Sequence, residues 1–152
     1  MAGRLERSGG PIGMKPIVSA SVQTAPQFYD LDPLGIVWHG HYPRFLELAR
    51  ASLMDKIGYG YEAMKLSGFA WPIIDMHLRY ARPMRLGQPV EIDAGIIEWE
   101  NRLKIVYSIR DLETQARVMR AASVQVAVCA ADGQMQWQSP PVLRACLEPY
   151  RS

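Results

Sequence analysis

Apolar residues at Tyr42, Phe45, Leu46, Ala49, Leu53 and Ile57 recur at intervals of three and four. That spacing puts them on one face of a helix over residues 42–57, about 24 Å long at 1.5 Å per residue. Pro43 suits the first turn, where its missing N–H costs nothing, and Gly58 is a natural stop. A second, shorter helix is expected over residues 61–66. Elsewhere the period is two. Residues 17–29 contain the alternating, β-branched run IVSASVQTA, which reads as a strand. Ile74, Met76, Leu78 and Tyr80 face one way, with Asp75, His77 and Arg79 on the other side. Val90, Ile92, Ala94 and Ile96 make a further strand, and Leu103, Ile105, Tyr107 and Ile109 another. Residues 118–128 alternate with small side chains (Ala121, Ser123, Ala127), as a strand covered on both faces does. Glu100-Asn101 and residues 111–115 are short links and imply antiparallel neighbours. Asp132-Gly133 ends the last long strand, and a Pro-rich tail with Pro140-Pro141 closes the chain.

The order is therefore strand, long helix, then about four antiparallel strands, without repeats or an interdomain linker. This is an α+β chain: a leader over residues 1–15 and one domain over residues 16–152. A helix with a broad apolar stripe and a single antiparallel sheet bury each other only if the sheet curls around the helix. That is the hot-dog fold, a curled antiparallel β-sheet wrapped around one long central α-helix. The outer sheet edges stay unpaired in a monomer, so edge-to-edge association into a homodimer is expected.

Composition adds exclusions. A length of 152 residues suits one domain, and 49% hydrophobic with 21% charged residues argues against wholesale disorder. A net charge of +2 is too small to point to nucleic acid. Of the 17 basic residues four are lysine, leaving 13 arginines, a bias that suits planar recognition of phosphate or carboxylate. Cys129 and Cys146 show neither a CxxC pair nor metal-ligand spacing and fit a reducing compartment. The start, MAGRLERSGGPIGMKP, lacks the apolar core of a secretory signal, and no apolar run approaches the roughly 20 residues of a membrane helix. A soluble, cytoplasmic protein with no nucleic-acid or membrane partner is expected.

Ionisable residues crowd just ahead of the long helix, in DLDPLGIVWHGHYPRFLELAR, residues 30–50. This stretch resembles the signature of the 4-hydroxybenzoyl-CoA thioesterase family of hot-dog enzymes, which includes YbgC-like acyl-CoA thioesterases. Asp30, Asp32, Gly35, Val37, Trp38, His39, Tyr42 and Phe45 occupy matching positions. A second stretch, LRYARPMRLGQPVEI, is similar to the family's Y-x-x-P-x-x-x-G-D-hydrophobic segment, with Gln88 and Pro89 in place of the acidic step. The likeness covers roughly residues 19–147. It implies an acyl thioester hydrolase acting on acyl-CoA or an acyl carrier protein, working as a homodimer or homotetramer, with no cofactor and no metal.

The residue types make physical sense for that chemistry. Thioester hydrolysis needs a group that attacks the carbonyl or aims water at it, and donors for the oxyanion that develops. A thiol with a solution pKa near ~8.5 leaves with little acid assistance. One carboxylate beside a helix N-terminus can suffice, because the helix offers unpaired N–H groups and partial positive charge. The resemblance implies Asp32 as the catalytic carboxylate, nucleophile or general base, with the His39 amide as oxyanion donor. Gly35, Val37, Trp38, Gly40, Tyr42 and Arg82 are the expected substrate contacts, and Trp38, Phe45, Tyr59 and Trp71 the candidate pocket walls. Asp-Pro is also a common turn dipeptide, so Asp32 has a turn-forming alternative. Asp30 either places Asp32 or is plain loop chemistry, and His41 marks the start of the helix. Glu47 is a rival base whose bland role is a pair with Arg50. His77 reads as a surface or interface histidine, and Cys129 as packing. Arg79, Arg82 and Arg85 suit coenzyme A phosphates, an acidic carrier protein or plain solvated surface.

Two other functions remain open on sequence. A hot-dog hydratase has the motif D-x-[ND]-P-x-H, and here Gly35 stands where that histidine belongs. A non-catalytic acyl-thioester binding module would bind without turnover.

Overall fold

The structure is a computed structural model that describes residues 15–151, so all but one residue of the expected leader lies outside the described residues. Strand β1 (Val18–Thr24) is followed by a 3-10 turn (Phe28–Asp30) and a second 3-10 turn (His39–His41) that runs into helix α1 (Tyr42–Lys56). Then come α2 (Tyr61–Ser67), β2 (Phe69–Ala70), β3 (Ile73–Tyr80), β4 (Val90–Glu98), β5 (Leu103–Asp111), β6 (Arg117–Gln125), β7 (Val128–Cys129) and α3 (Pro141–Leu147). Five strands form one antiparallel sheet in the order β1-β4-β5-β6-β3, and β2 pairs with β7 separately.

The period-two reading holds residue by residue on β5. On β5, Leu103, Ile105, Tyr107 and Ile109 are buried while Lys104, Val106, Ser108 and Arg110 are half-exposed. The helix repeats the agreement, because Tyr42, Phe45, Leu46, Ala49, Leu53 and Ile57 are all buried. α1 lies against β1 and β4 and shares one core with Ile92, Ala94, Ile96, Ile105 and Ile109. The chain leaves the helix through Gly58 at φ +80°, a conformation that costs glycine little. This is the hot-dog arrangement expected from the patterning.

Some boundaries differ. β1 stops at Thr24, because Gln27 and Asp30 fold into a capping box that starts the 3-10 turn. The long run over residues 118–128 divides into β6 and β7, whose partners lie in different sheets. The Pro-rich tail carries a helix, α3, with Pro141 in its first turn and Leu143 and Leu147 buried in the core. Two prolines in succession read as irregular chain, whereas one of them begins a helix. Asp111 accepts the Glu113 and Thr114 N–H groups at 2.7 and 2.8 Å and so makes the turn expected there.

Leu53 has no exposed surface and sits where α1 meets the sheet. Leu53→Ala is expected to lower unfolding free energy by about 2–5 kcal/mol, read from the urea midpoint.

Candidate active site

The loop ahead of α1 closes around the buried carboxylate of Asp30. Its Oδ2 accepts the Gln27 N–H at 2.8 Å, and Arg44, in the first turn of α1, pairs with its Oδ1. The Arg44 guanidinium also lies 4.5 Å over the Phe45 ring and 5.7 Å over Tyr29. The Asp30 backbone carbonyl accepts the Trp38 N–H at 3.0 Å, with Nδ1 of His41 3.1 Å away. One residue thus ties the start of the loop, its end and the first turn of the helix. Asp30 is a loop organiser.

Between those ties, Leu31 and Val37 bridge, and the Asp32 N–H donates to the Ile36 carbonyl at 2.8 Å. Residues 32–35 form a turn closed by the Gly35 N–H on the Asp32 carbonyl at 2.9 Å, with Gly35 at φ +80°. Asp32 Oδ1 accepts the Leu34 N–H at 2.8 Å, so the turn-forming role is present. Among the described residues nothing donates to its Oδ2. The side chain is half-buried and borders a cavity of ≈ 370 Å³. One oxygen is held by the loop while the other meets no protein donor among the described residues.

The far side of the loop is sewn to the segment after β3. Val37 N–H donates to the Met84 carbonyl at 2.9 Å, Ile36 bridges Arg85, and the Met84 N–H donates to the Tyr42 hydroxyl at 3.2 Å. The loop and the end of β3 therefore face each other across the cavity, whose lining includes Asp32, His39, Tyr42, Tyr80 and Arg82. Burial pushes the Tyr42 hydroxyl above the usual phenol range; the Met84 hydrogen bond pulls it back, and Tyr80 and Asp32 add smaller pushes. Burial also raises Tyr80. Both hydroxyls stay protonated at neutral pH and can donate.

The expected site residues divide. Asp32, His39, Val37, Tyr42 and Arg82 come together around the cavity. Gly35, Trp38 and Gly40 stand outside its lining. Trp38 folds back over the helix start, its ring centroid 5.3 Å from that of His39 and 5.2 Å from that of His41. A Cβ on Gly40 would meet that indole at 2.5 Å, so a glycine is what lets the ring lie there. Phe45, Tyr59 and Trp71 are not walls of this cavity but core, with Trp71 Nε1 donating to the Tyr59 hydroxyl at 2.9 Å. Glu47 pairs with Arg50, Nε to Oε2 at 3.0 Å, and is outside the lining. Arg79 and Arg85 are exposed and also outside it, and His77 is exposed on β3. Cys129 and Cys146 are free thiols, each half-buried. Among the described residues no cluster of His, Cys, Asp or Glu could hold a metal ion, and no helix is long and apolar enough to cross a membrane.

Sequence reading missed Tyr80 as a member of this constellation. Its signal was the Y-x-x-P segment, in which the tyrosine is three residues ahead of Pro83.

A family model described as the thioesterase-like superfamily matches residues 26–147. A Synechocystis sp. protein provisionally named an esterase is 32% identical over 117 residues, covering 72% of this chain and 67% of that one. The acyl-CoA thioester hydrolase YbgC of Escherichia coli O157:H7 is 25% identical over 114 residues, covering 75% of this chain and 84% of its own. Relatives from Bacillus subtilis and Aquifex aeolicus are matched over only 58% and 56% of their length, so the chain spans little more than half of them. A mutant 4-hydroxybenzoyl CoA thioesterase complexed with 4-hydroxybenzoyl CoA superposes with a TM-score of 0.74 at 21% identity, covering 86% of this chain and 99% of that one. This last likeness establishes the fold.

Removing Asp30 leaves the Gln27 N–H without its acceptor and Arg44 without its pair. Asp30→Ala is expected to cost about 1–3 kcal/mol in urea unfolding, discounted because Arg44 is part-exposed and rehydrates.

Proposed function

The chain belongs to the thioesterase-like superfamily, and from that membership we propose that it hydrolyses acyl thioesters, with acyl-CoA or an acyl carrier protein as donor. The observation that carries the reading is the shared lining of one cavity by Asp32 and His39, the latter in the turn that opens α1. The thioester carbonyl lies between them. Asp32, steadied through Oδ1 by the Leu34 N–H, uses its other oxygen either to attack the carbonyl carbon or to take a proton from an attacking water. In the first case a mixed anhydride forms and water cleaves it; in the second the acid forms directly. In both, the carbonyl electrons move onto oxygen and return as the thiolate leaves.

The oxyanion meets the amides at the start of α1. The His39 and Gly40 N–H groups have no protein acceptor among the described residues, and the helix dipole places partial positive charge there. Val37 and Tyr42 border the same space, while Gly35, Trp38 and Gly40 shape its backbone frame from outside the lining. Arg82 is the cationic side chain in the lining and meets a phosphate of the carrier. The functional unit is a homodimer or homotetramer of one domain over residues 16–152, in which β3, an edge strand with Ile74 and Tyr80 exposed, pairs with a second copy. A cytoplasmic location is part of the same proposal and is supported by the free thiols of Cys129 and Cys146, which suit a reducing compartment.

The test is a panel of aromatic, short and long acyl groups on coenzyme A, pantetheine and carrier protein, followed by thiol release. Turnover of at least one series is expected. Asp32→Asn should lower kcat about 100-fold or more, and wild-type turnover in that variant sinks the assignment. Arg82→Gln should raise KM for acyl-CoA several-fold while leaving acyl-pantetheine unaffected. Sedimentation equilibrium should return two or four times the chain mass; a monomer refutes the edge pairing.

A further inference from the structure

His39 lies in the 3-10 turn His39–His41, where a carbonyl looks to the N–H three residues on, Tyr42 for residue 39. A carbonyl oxygen has a second lone pair, and a hydroxyl from a distant strand meets it: Tyr80, the last residue of β3, donates to the His39 carbonyl at 2.7 Å.

The consequence runs through one peptide plane. The His39 carbonyl and the Gly40 N–H belong to the same planar unit, and no peptide bond among the described residues is cis. Fixing the carbonyl therefore fixes the direction of the amide on its other end. Tyr80 itself is braced, its ring edge-on to Tyr42 with centroids 4.9 Å apart at 82°. Tyr42 is in turn held by the Met84 N–H. A hydroxyl that donates to a carbonyl also polarises the attached N–H, because chained hydrogen bonds strengthen one another. Donors set in place before charge develops are the ones that lower a barrier.

We propose that Tyr80 is a positioning residue for thioester hydrolysis, holding the His39–Gly40 peptide through the His39 carbonyl so that the first amides of α1 stand ready for the oxyanion. The proposal rests on the thioesterase reading given above. Tyr80 acts on the charged transition state more than on the uncharged ground-state carbonyl, so its loss falls on kcat rather than KM.

Tyr80→Phe keeps the ring and its edge contact with Tyr42 and removes only the O–H. A fall in kcat of about tenfold is expected, with KM within about twofold and the thermal midpoint unchanged. Unchanged kcat in Tyr80→Phe overturns the proposal. So does a rise in KM alone, which makes Tyr80 a mere wall of the cavity. If the parent turns over and Asp32→Asn does not, any of these failures is the failure of Tyr80's role alone. A parent that releases no thiol from any donor overturns both.

Discussion

Burying the Asp30 carboxylate would cost several kcal/mol if it went in alone, so the chain brings partners with it. Arg44 supplies the opposite charge from α1, and the Gln27 N–H supplies a donor from the end of the first strand's connection. Those partners are 17 positions apart in the chain, and satisfying both at once leaves the intervening loop little freedom. The Asp30 carbonyl then takes the Trp38 N–H, which sets where the helix begins. Everything at the site is measured from that point. Asp32 is two residues further on, and His39 is one residue past Trp38.

Within this frame the turn-forming role of Asp32 leaves room for the proposed catalytic one. A carboxylate has two oxygens with several lone pairs, enough for a turn and for a reaction together. Oδ1 holds the Leu34 N–H and thereby sets the side-chain rotamer, while Oδ2 stays unclaimed among the described residues. The loop bond gives a side chain on a turn a defined direction. Pro33 and Gly35 serve the same end, the first by fixing backbone next to Asp32 and the second by taking the φ +80° that ends the turn.

Proline at residue 43 shows the same economy in the helix. It starts α1 cheaply, because the first N–H groups have no intrahelical acceptor. The 3-10 turn just before it presents the His39 carbonyl to the Tyr80 hydroxyl, and that tie between the helix start and β3 joins the two walls between which a ligand would sit.

What the sequence determined by itself was periodic or local. The apolar stripe from Tyr42 to Ile57, the alternation of β5 and the crowded D-x-D-P-x-G run were all readable, because each reports on neighbours within a few residues. The helix in the Pro-rich tail was hidden, since a seven-residue segment with two adjacent prolines carries too little pattern to show which one opens a helix. The tertiary structure decided which aromatics are core and which border the cavity. Phe45, Tyr59 and Trp71 fit either role by type, and only the packing of α1 and β6 against them puts them inside. It also decided that Tyr80, 41 residues from His39, completes the helix start. A hydrogen bond across that separation leaves no trace in spacing; it exists only once the sheet has curled and brought the end of β3 beside the His39 carbonyl.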